Sequence, residues 1–179
     1  MRKKIISAII FQCMLVSGLF PSELKIGDMA RFFSVRSGDE KYLTLDDLKG
    51  KVSIVFYESR DAVNKNKELK RDLNKFYDLQ NGDIKQKVVK VAIIDCSEAF
   101  WPFTMIWEKK LVDYSREKCL TIYGDWEGEM RKTYGFHLGE SNFLILDKLG
   151  KIEFFQIERV KKDQFENVKK LISKLVLQS

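Results

Sequence analysis

The 179-residue chain contains three cysteines, two prolines and one histidine, and each scarcity removes some chemistry. One histidine, His137, with Cys96 and Cys119 far apart in sequence cannot supply the closely spaced ligands of a structural zinc site. Residues 58–65 follow the most strand-like run and contain no glycine, so no phosphate-cradling loop can form there. Asp125-Trp126-Glu127-Gly128-Glu129 alternates acids near a glycine but lacks the regular oxygen ligands of a calcium loop. It reads as a polar turn opening the Met130 to Tyr134 segment. No metal and no cofactor is expected. The chain also lacks repeats and low-complexity stretches, which argues for one domain with a sizeable core at 45% hydrophobic content.

Acidic residues are missing before Glu23, where Arg2, Lys3 and Lys4 precede a largely apolar run from Ile5 to about Phe20, broken by Gln12. This is the charged and apolar pattern of a secretory signal, assigned to residues 1–18. The run falls short of the roughly 20 residues that span a bilayer as a helix, so no stable membrane insertion is expected unless the signal stays uncleaved. Cys13 follows Gln12, which replaces the small residue that a lipid-attachment site needs. Removing residues 1–18 takes away three of the 32 basic residues and none of the 26 acidic ones, lowering the formal charge from +6 to +3. The remaining charges are interspersed, which argues against a nucleic-acid partner. The expected address is exported, periplasmic or in the cell envelope.

Val52 to Tyr57 and Val88 to Ile94 are β-branched, nearly continuous apolar runs, the pattern of strands covered on both faces of a parallel sheet. Between them Leu69, Leu73 and Phe76 fall at helical spacing, predicting a helix over 61–80 closed by Asn81-Gly82-Asp83. A second helix is predicted over 98–118, with Pro102 in its first turns and Phe100, Phe103, Ile106, Trp107, Leu111 and Tyr114 supplying apolar bulk; Trp101, Trp107 and the phenylalanines around them could form a ligand-binding aromatic surface, but rings at helical spacing read first as core and boundary residues that cover the sheet. Asn142 to Leu146 and Ile152 to Ile157 flank Asp147-Lys148-Leu149-Gly150, a hairpin signal. A last helix is predicted over 163–176.

That order, with an N-terminal strand pair before it, resembles the thioredoxin-like superfamily in its peroxiredoxin and TlpA/ResA branch. The resemblance rests on Ile26-Gly27-Asp28-Met29-Ala30 and Phe33-Ser34-Val35, on Leu45-Asp46-Asp47-Leu48-Lys49-Gly50-Lys51-Val52, on Tyr134-Gly135, and on Phe143-Leu144-Ile145-Leu146-Asp147-Lys148 with Gly150. Among subgroups it looks most like the exported YtfJ-type proteins. It implies a thioredoxin-like domain over 24–176, an α/β fold of three α/β/α layers around a mixed central sheet.

Against that resemblance, the chemistry is altered. Redox members open the helix after the central strand with Cys-x-x-Cys, where backbone N–H groups and the helix dipole stabilise a thiolate. Here Asp61-Ala62-Val63-Asn64 stands at that place, with Asp61 expected to act as the helix N-cap. The family's cis-proline position before the hairpin is occupied by His137-Leu138-Gly139-Glu140-Ser141. A peroxidatic cysteine in the same first turn is absent as well. Cys96 and Cys119 form an even pair, as a disulfide would require. On this fold, however, a helix of some 20 residues separates them by roughly 30 Å, so no disulfide is expected.

The C-terminal edge of a parallel sheet is where sites assemble, and residues 58–62, Cys96 and the loop 137–141 should all reach it. Asp61, Cys96, His137 and Glu140 could converge there, with His137 as base for Cys96. The leading expectation is a redox-inactive module that binds an envelope protein or peptide along this edge, using Arg60, Asp61, Glu140 and Ser141. The alternative is an atypical thiol oxidoreductase or single-cysteine peroxidase using Cys96. A third reading is an envelope-associated structural protein held by an uncleaved signal.

Overall fold

The computed structural model describes residues 24–178; the signal assigned to residues 1–18, with Cys13, lies outside them. Seven strands form one mixed sheet: β1 (Ser34–Ser37), β2 (Tyr42–Thr44), β3 (Val52–Ser59), β4 (Val88–Asp95), β5 (Ile122–Asp125), β6 (Ser141–Leu146) and β7 (Ile152–Ile157). Their spatial order is β2-β1-β5-β4-β3-β6-β7. Strands β3, β4 and β5 are parallel, and the β6–β7 hairpin continues the sheet antiparallel from β3. The N-terminal pair β1–β2 is antiparallel and joins the other side through β5. The two apolar runs are thus central, as their lack of alternation requires.

Among the described residues five α-helices accompany the sheet: α1 (Lys67–Asp78), α2 (Gly82–Gln86), α3 (Thr104–Lys118), α4 (Glu129–Tyr134) and α5 (Phe165–Leu177). Side chains of β3 alternate between two cores. Val52, Ile54 and Phe56 pack with Leu69 and Leu73 of α1 and Val168 and Ile172 of α5. Val55 and Tyr57 pack on the opposite face with Met130 and Tyr134 of α4 and with Phe33, Val35 and Leu48. This is the expected three-layer α/β/α arrangement. Gly150 closes the hairpin turn at φ +85°, a conformation that favours glycine.

The structure corrects several boundaries. The first helix begins at Lys67, because β3 runs on to Ser59 and is followed by a short 3-10 turn, Arg60–Ala62. Asp61 therefore caps nothing: it is exposed and pairs with Arg60. The second helix begins at Thr104, and Pro102 lies ahead of it, joined to Trp101 by a cis peptide bond. Proline disfavours α geometry at the residue before it, which stops the helix from running back through Trp101. Strand β5 and helix α2 carry no strong periodic signal in sequence, being four and five residues long.

The aromatics of 98–118 are also misplaced by the sequence pattern. Leu111 is the buried residue of α3, whereas Phe100 (66% exposed), Trp101 (82%), Phe103, Met105 (70%), Ile106 and Tyr114 face solvent. The apolar spacing reflects a surface: neither core cluster includes a residue of α3.

Candidate functional site

The C-terminal edge of β3 carries a polar network on each face of the sheet. Because side chains alternate, Glu58 turns towards α1 while Tyr57 turns towards α4. Glu58 is 3% exposed. Its carboxylate pairs with Lys70 of α1 and accepts a hydrogen bond from Ser141 Oγ at 2.8 Å. Lys70 also donates to the Val63 carbonyl. Burial pushes the Glu58 carboxyl upward, against the opposing pull of Lys70 and the Ser141 hydroxyl.

Asn66 is the hub of this first network. Its amide nitrogen donates to Ser141 Oγ and to the Glu158 carbonyl, both at 2.8 Å, and its oxygen accepts from Val160 N–H at 2.9 Å. One buried carboxamide thereby ties the entrance of α1 to the starts of β6 and the last segment. That inward commitment explains why Asn66, and not Asp61, stands immediately before α1.

On the opposite face, Asp125 Oδ2 accepts from the Tyr57 hydroxyl at 2.9 Å and from Arg131 N–H at 3.0 Å. Asp95 Oδ1 accepts from Ser97 N–H and Ser97 Oγ. Arg131 Nε lies 3.1 Å from Asp95 Oδ2, facing it as an ion pair without hydrogen-bond alignment. Desolvation and the two carboxylates push the Tyr57 hydroxyl far upward, so it donates and does not ionise.

Cys96 sits beside this second network with no exposed surface. Gly124 lies against it: a Cβ there would stand 3.1 Å from Cys96 Sγ and 2.8 Å from the Trp126 ring. Burial first, then Asp95 and Asp125, push its thiol well above the ordinary range. A nucleophilic thiolate needs the reverse. His137 is exposed, and among the described residues no contact joins it to Cys96. The expected Cys96–His137 pair therefore does not form. Cys119 is exposed at the C-terminal end of α3, in a left-handed conformation at φ 49°, and both thiols are free. The 15 residues of α3, about 22 Å of helix, lie between the two in the chain.

The loop 137–141 does reach this edge, as the topology requires. Ser59 N–H donates to the Glu140 carbonyl at 3.1 Å, Gly139 N–H donates to Ser59 Oγ at 2.7 Å, and Lys65 Nζ bridges the Gly139 carbonyl and Glu140 Oε2. Glu140 therefore meets Lys65, not Asp61 or His137, and Ser141 is buried beneath it. Of the expected binding residues, Arg60 and Asp61 remain available. Arg60 Cζ lies 5.3 Å from the Trp107 ring centroid, which links the edge to the exposed aromatics. Phe100 and Phe103 hold each other edge to face at 5.2 Å.

Sequence reasoning missed Lys65, Asn66, Lys70 and Arg131. A signal existed for two of their partners: Glu58 and Asp95 are charged residues that continue buried strand runs without interruption, a pattern that demands a compensating group.

No family model matches the chain, and no curated protein matches it. Solved structures do. It is similar to a protein assigned as the thiol:disulfide interchange protein DsbE of Chlorobium tepidum, with 17% identity, 86% of this chain and 99% of that one covered, and a TM-score of 0.62. It is similar to thiol peroxidase of Chromobacterium violaceum at 13% identity, covering 87% and 90%, with a TM-score of 0.59. It is also similar to the exposed lipoprotein thioredoxin of Streptococcus pneumoniae at 17% identity, covering 79% and 99%, with a TM-score of 0.54. At these identities the likeness speaks to architecture alone, and it agrees with the sheet order, the helix layers and the N-terminal strand pair: the chain has the thioredoxin-like fold.

Proposed function

We propose that this is an exported, redox-inactive thioredoxin-fold module that binds a protein or peptide at the C-terminal edge of its sheet. One observation carries the reading: where β3 ends, Glu58, Ser141 and Asn66 are tied inward to one another, while the adjoining segment turns Phe100, Trp101, Met105 and Ile106 outward and Arg60 lies over the Trp107 ring. The edge is closed to thiol chemistry, since Cys96 is buried with a raised thiol pKa, and it is open to contact. Clustered exposed apolar side chains mark interaction surfaces in soluble domains, and Trp, Phe and Arg are the residues that anchor such contacts. Export is supported by the basic and apolar opening of the chain and by the surface-exposed character of one structural neighbour. Among the described residues no helix is long and apolar enough to cross a membrane.

Glu140 and Ser141 act in this reading as positioning residues, holding the 137–141 loop through Lys65 and Glu58. Arg60 and Asp61 are the charged contacts. The test is site-specific photocrosslinking from position 101, with position 149 on the distant hairpin turn as control, in an envelope extract. Capture of one defined partner from 101 alone, lost in Arg60→Glu and Phe100→Ala, supports the proposal. Equal labelling from both positions, or capture indifferent to Arg60→Glu, overturns it.

A further inference from the structure

A second region of the molecule holds an apolar recess. Helices α1, α2 and α5 do not close over the ends of β3 and β4, and a cavity of about 220 Å³ remains between them. Its floor is Ile54 and Val88 and its walls include Leu73, Ile84 and Ile172, all apolar; Ser173 and Gln80 stand among the lining residues as the polar ones. Tyr77 forms one side, and two ammonium groups lie over its ring, Lys90 Nζ at 4.4 Å and Lys85 Nζ at 5.7 Å from the centroid. Lys90 is also the register partner of Ile54 in the neighbouring strand, which places it beside the cavity floor.

The partners of these lysines are informative. Lys85 donates to the Asp78 carbonyl at 2.9 Å and Lys90 to Asn74 Oδ1 at 3.2 Å, both neutral oxygens. Among the described residues no carboxylate is ion-paired with either one, so both keep their full charge beside the recess. An apolar recess with two uncompensated cations at one wall is complementary to an amphipathic anion, its tail in the recess and its head at the rim. A dry apolar cavity of about 150 Å³ is enough to take a benzene ring, so this one accommodates a short alkyl chain.

We propose that the recess between α1, α2 and α5 binds a medium-chain aliphatic carboxylate, with Lys85 and Lys90 facing the carboxylate and Ile54, Leu73, Ile84 and Ile172 enclosing the chain. This site lies on a different part of the molecule from the aromatic edge and does not depend on the reading given to that edge.

Octanoate is the probe, titrated into the folded protein while amide spectra and the thermal midpoint are followed. Saturable binding is expected, with octanol about fivefold weaker, the ratio due to an ion pair at a solvent-facing rim. Lys85→Gln with Lys90→Gln should abolish that preference while leaving octanol binding unchanged. Ser173→Phe, which fills the recess from a half-buried position, should remove both. A spin-labelled alkanoate on the unaltered protein locates the site independently of any variant. Broadening at Ile84 and Ile172 supports the proposal. Absence of saturable binding, broadening centred on residues 100–106, or affinity unmoved by Ser173→Phe overturns it.

Discussion

Replacing Lys70 by methionine tests the polar closure at its most demanding point. The Glu58 side chain is 3% exposed and that of Lys70 30% exposed, so the substitution leaves a carboxylate facing the core of the α1–α5 layer with the Ser141 hydroxyl as its remaining partner. Methionine keeps much of the aliphatic length of Lys70 while removing the ammonium that stands 5.1 Å from the Phe56 ring centroid, so little packing volume is lost. Stripping one partner from a buried pair costs about 3–5 kcal/mol. Water reaches the Lys70 end, which favours the lower figure, about 3 kcal/mol, including the lost bond to the Val63 carbonyl. In a domain of this length that lowers the thermal midpoint by roughly 6–12 °C.

The pH dependence separates this account from a simple packing defect. Burial raises the Glu58 carboxyl in the folded protein above its unfolded value, so this group favours folding most when protonated and loses that contribution as pH rises through the folded value. Without Lys70 the folded value rises further, because the charge that lowered it is gone. The penalty of Lys70→Met should therefore shrink as pH falls from 7 towards 5, and Glu58→Gln with Lys70→Met should erase most of that dependence. Guanidinium titrations at several pH values, read by far-ultraviolet circular dichroism, supply the numbers. A Lys70→Met protein within about 0.5 kcal/mol of the parent at pH 7, the range of an ordinary surface substitution, refutes the reasoning.

Three further outcomes follow from the same geometry. Titration with a chromogenic disulfide should modify Cys119 quickly and Cys96 only on unfolding, and Cys96→Ser should leave insulin reduction and peroxide consumption at background; fast labelling of both thiols in the native protein would contradict the burial of Cys96. Gly124→Ala should cost about 1–3 kcal/mol, as overpacking does, since its Cβ would stand 2.8 Å from Trp126 and 3.1 Å from Cys96 Sγ; an unchanged denaturation midpoint would show that the Trp126 ring yields freely. Asn66→Ala should cost about 2–3 kcal/mol because it strands the buried Val160 N–H and weakens Ser141, with amide exchange at Val160 accelerating more than exchange in β4; uniform acceleration across the sheet would argue against a local hub.

Much of the architecture was legible because it depends on patterns that repeat. Val52 to Tyr57 and Val88 to Ile94 carry enough unbroken apolar residues to demand burial on both faces, and the hairpin announces itself through Asp147 to Gly150. Strand β5 was not legible, because Ile122–Asp125 owes its place to register with β4 and β1 and not to its own composition. The start of α1 was misjudged for a related reason: Asp61 satisfies every local rule for a cap, but the entrance is fixed by what Asn66 reaches across 75 and 94 residues of sequence. The aromatic run of 98–107 failed in the opposite direction. Helical spacing says which residues share a face, but not whether that face is covered.

The same distinction bears on function. The convergence of the candidate edge followed from topology, since β3, β4 and the loop before β6 end there whatever their side chains are. Its chemistry did not, because a cysteine at that edge can be either presented or sealed, and sequence distance does not tell the two apart. Here Gly124 lets the Trp126 ring and Cys96 pack without a gap, and Asp95 and Asp125 lie close enough to make a thiolate unfavourable. Ionising that sulfur would place a third negative charge beside two carboxylates whose nearest cation, Arg131, is already engaged by Asp95. The network that stabilises the edge is thus the same one that suppresses the thiol. Presenting the thiol would require dismantling the closure as well as exposing the sulfur, and this is the physical ground for the proposal that the edge serves recognition.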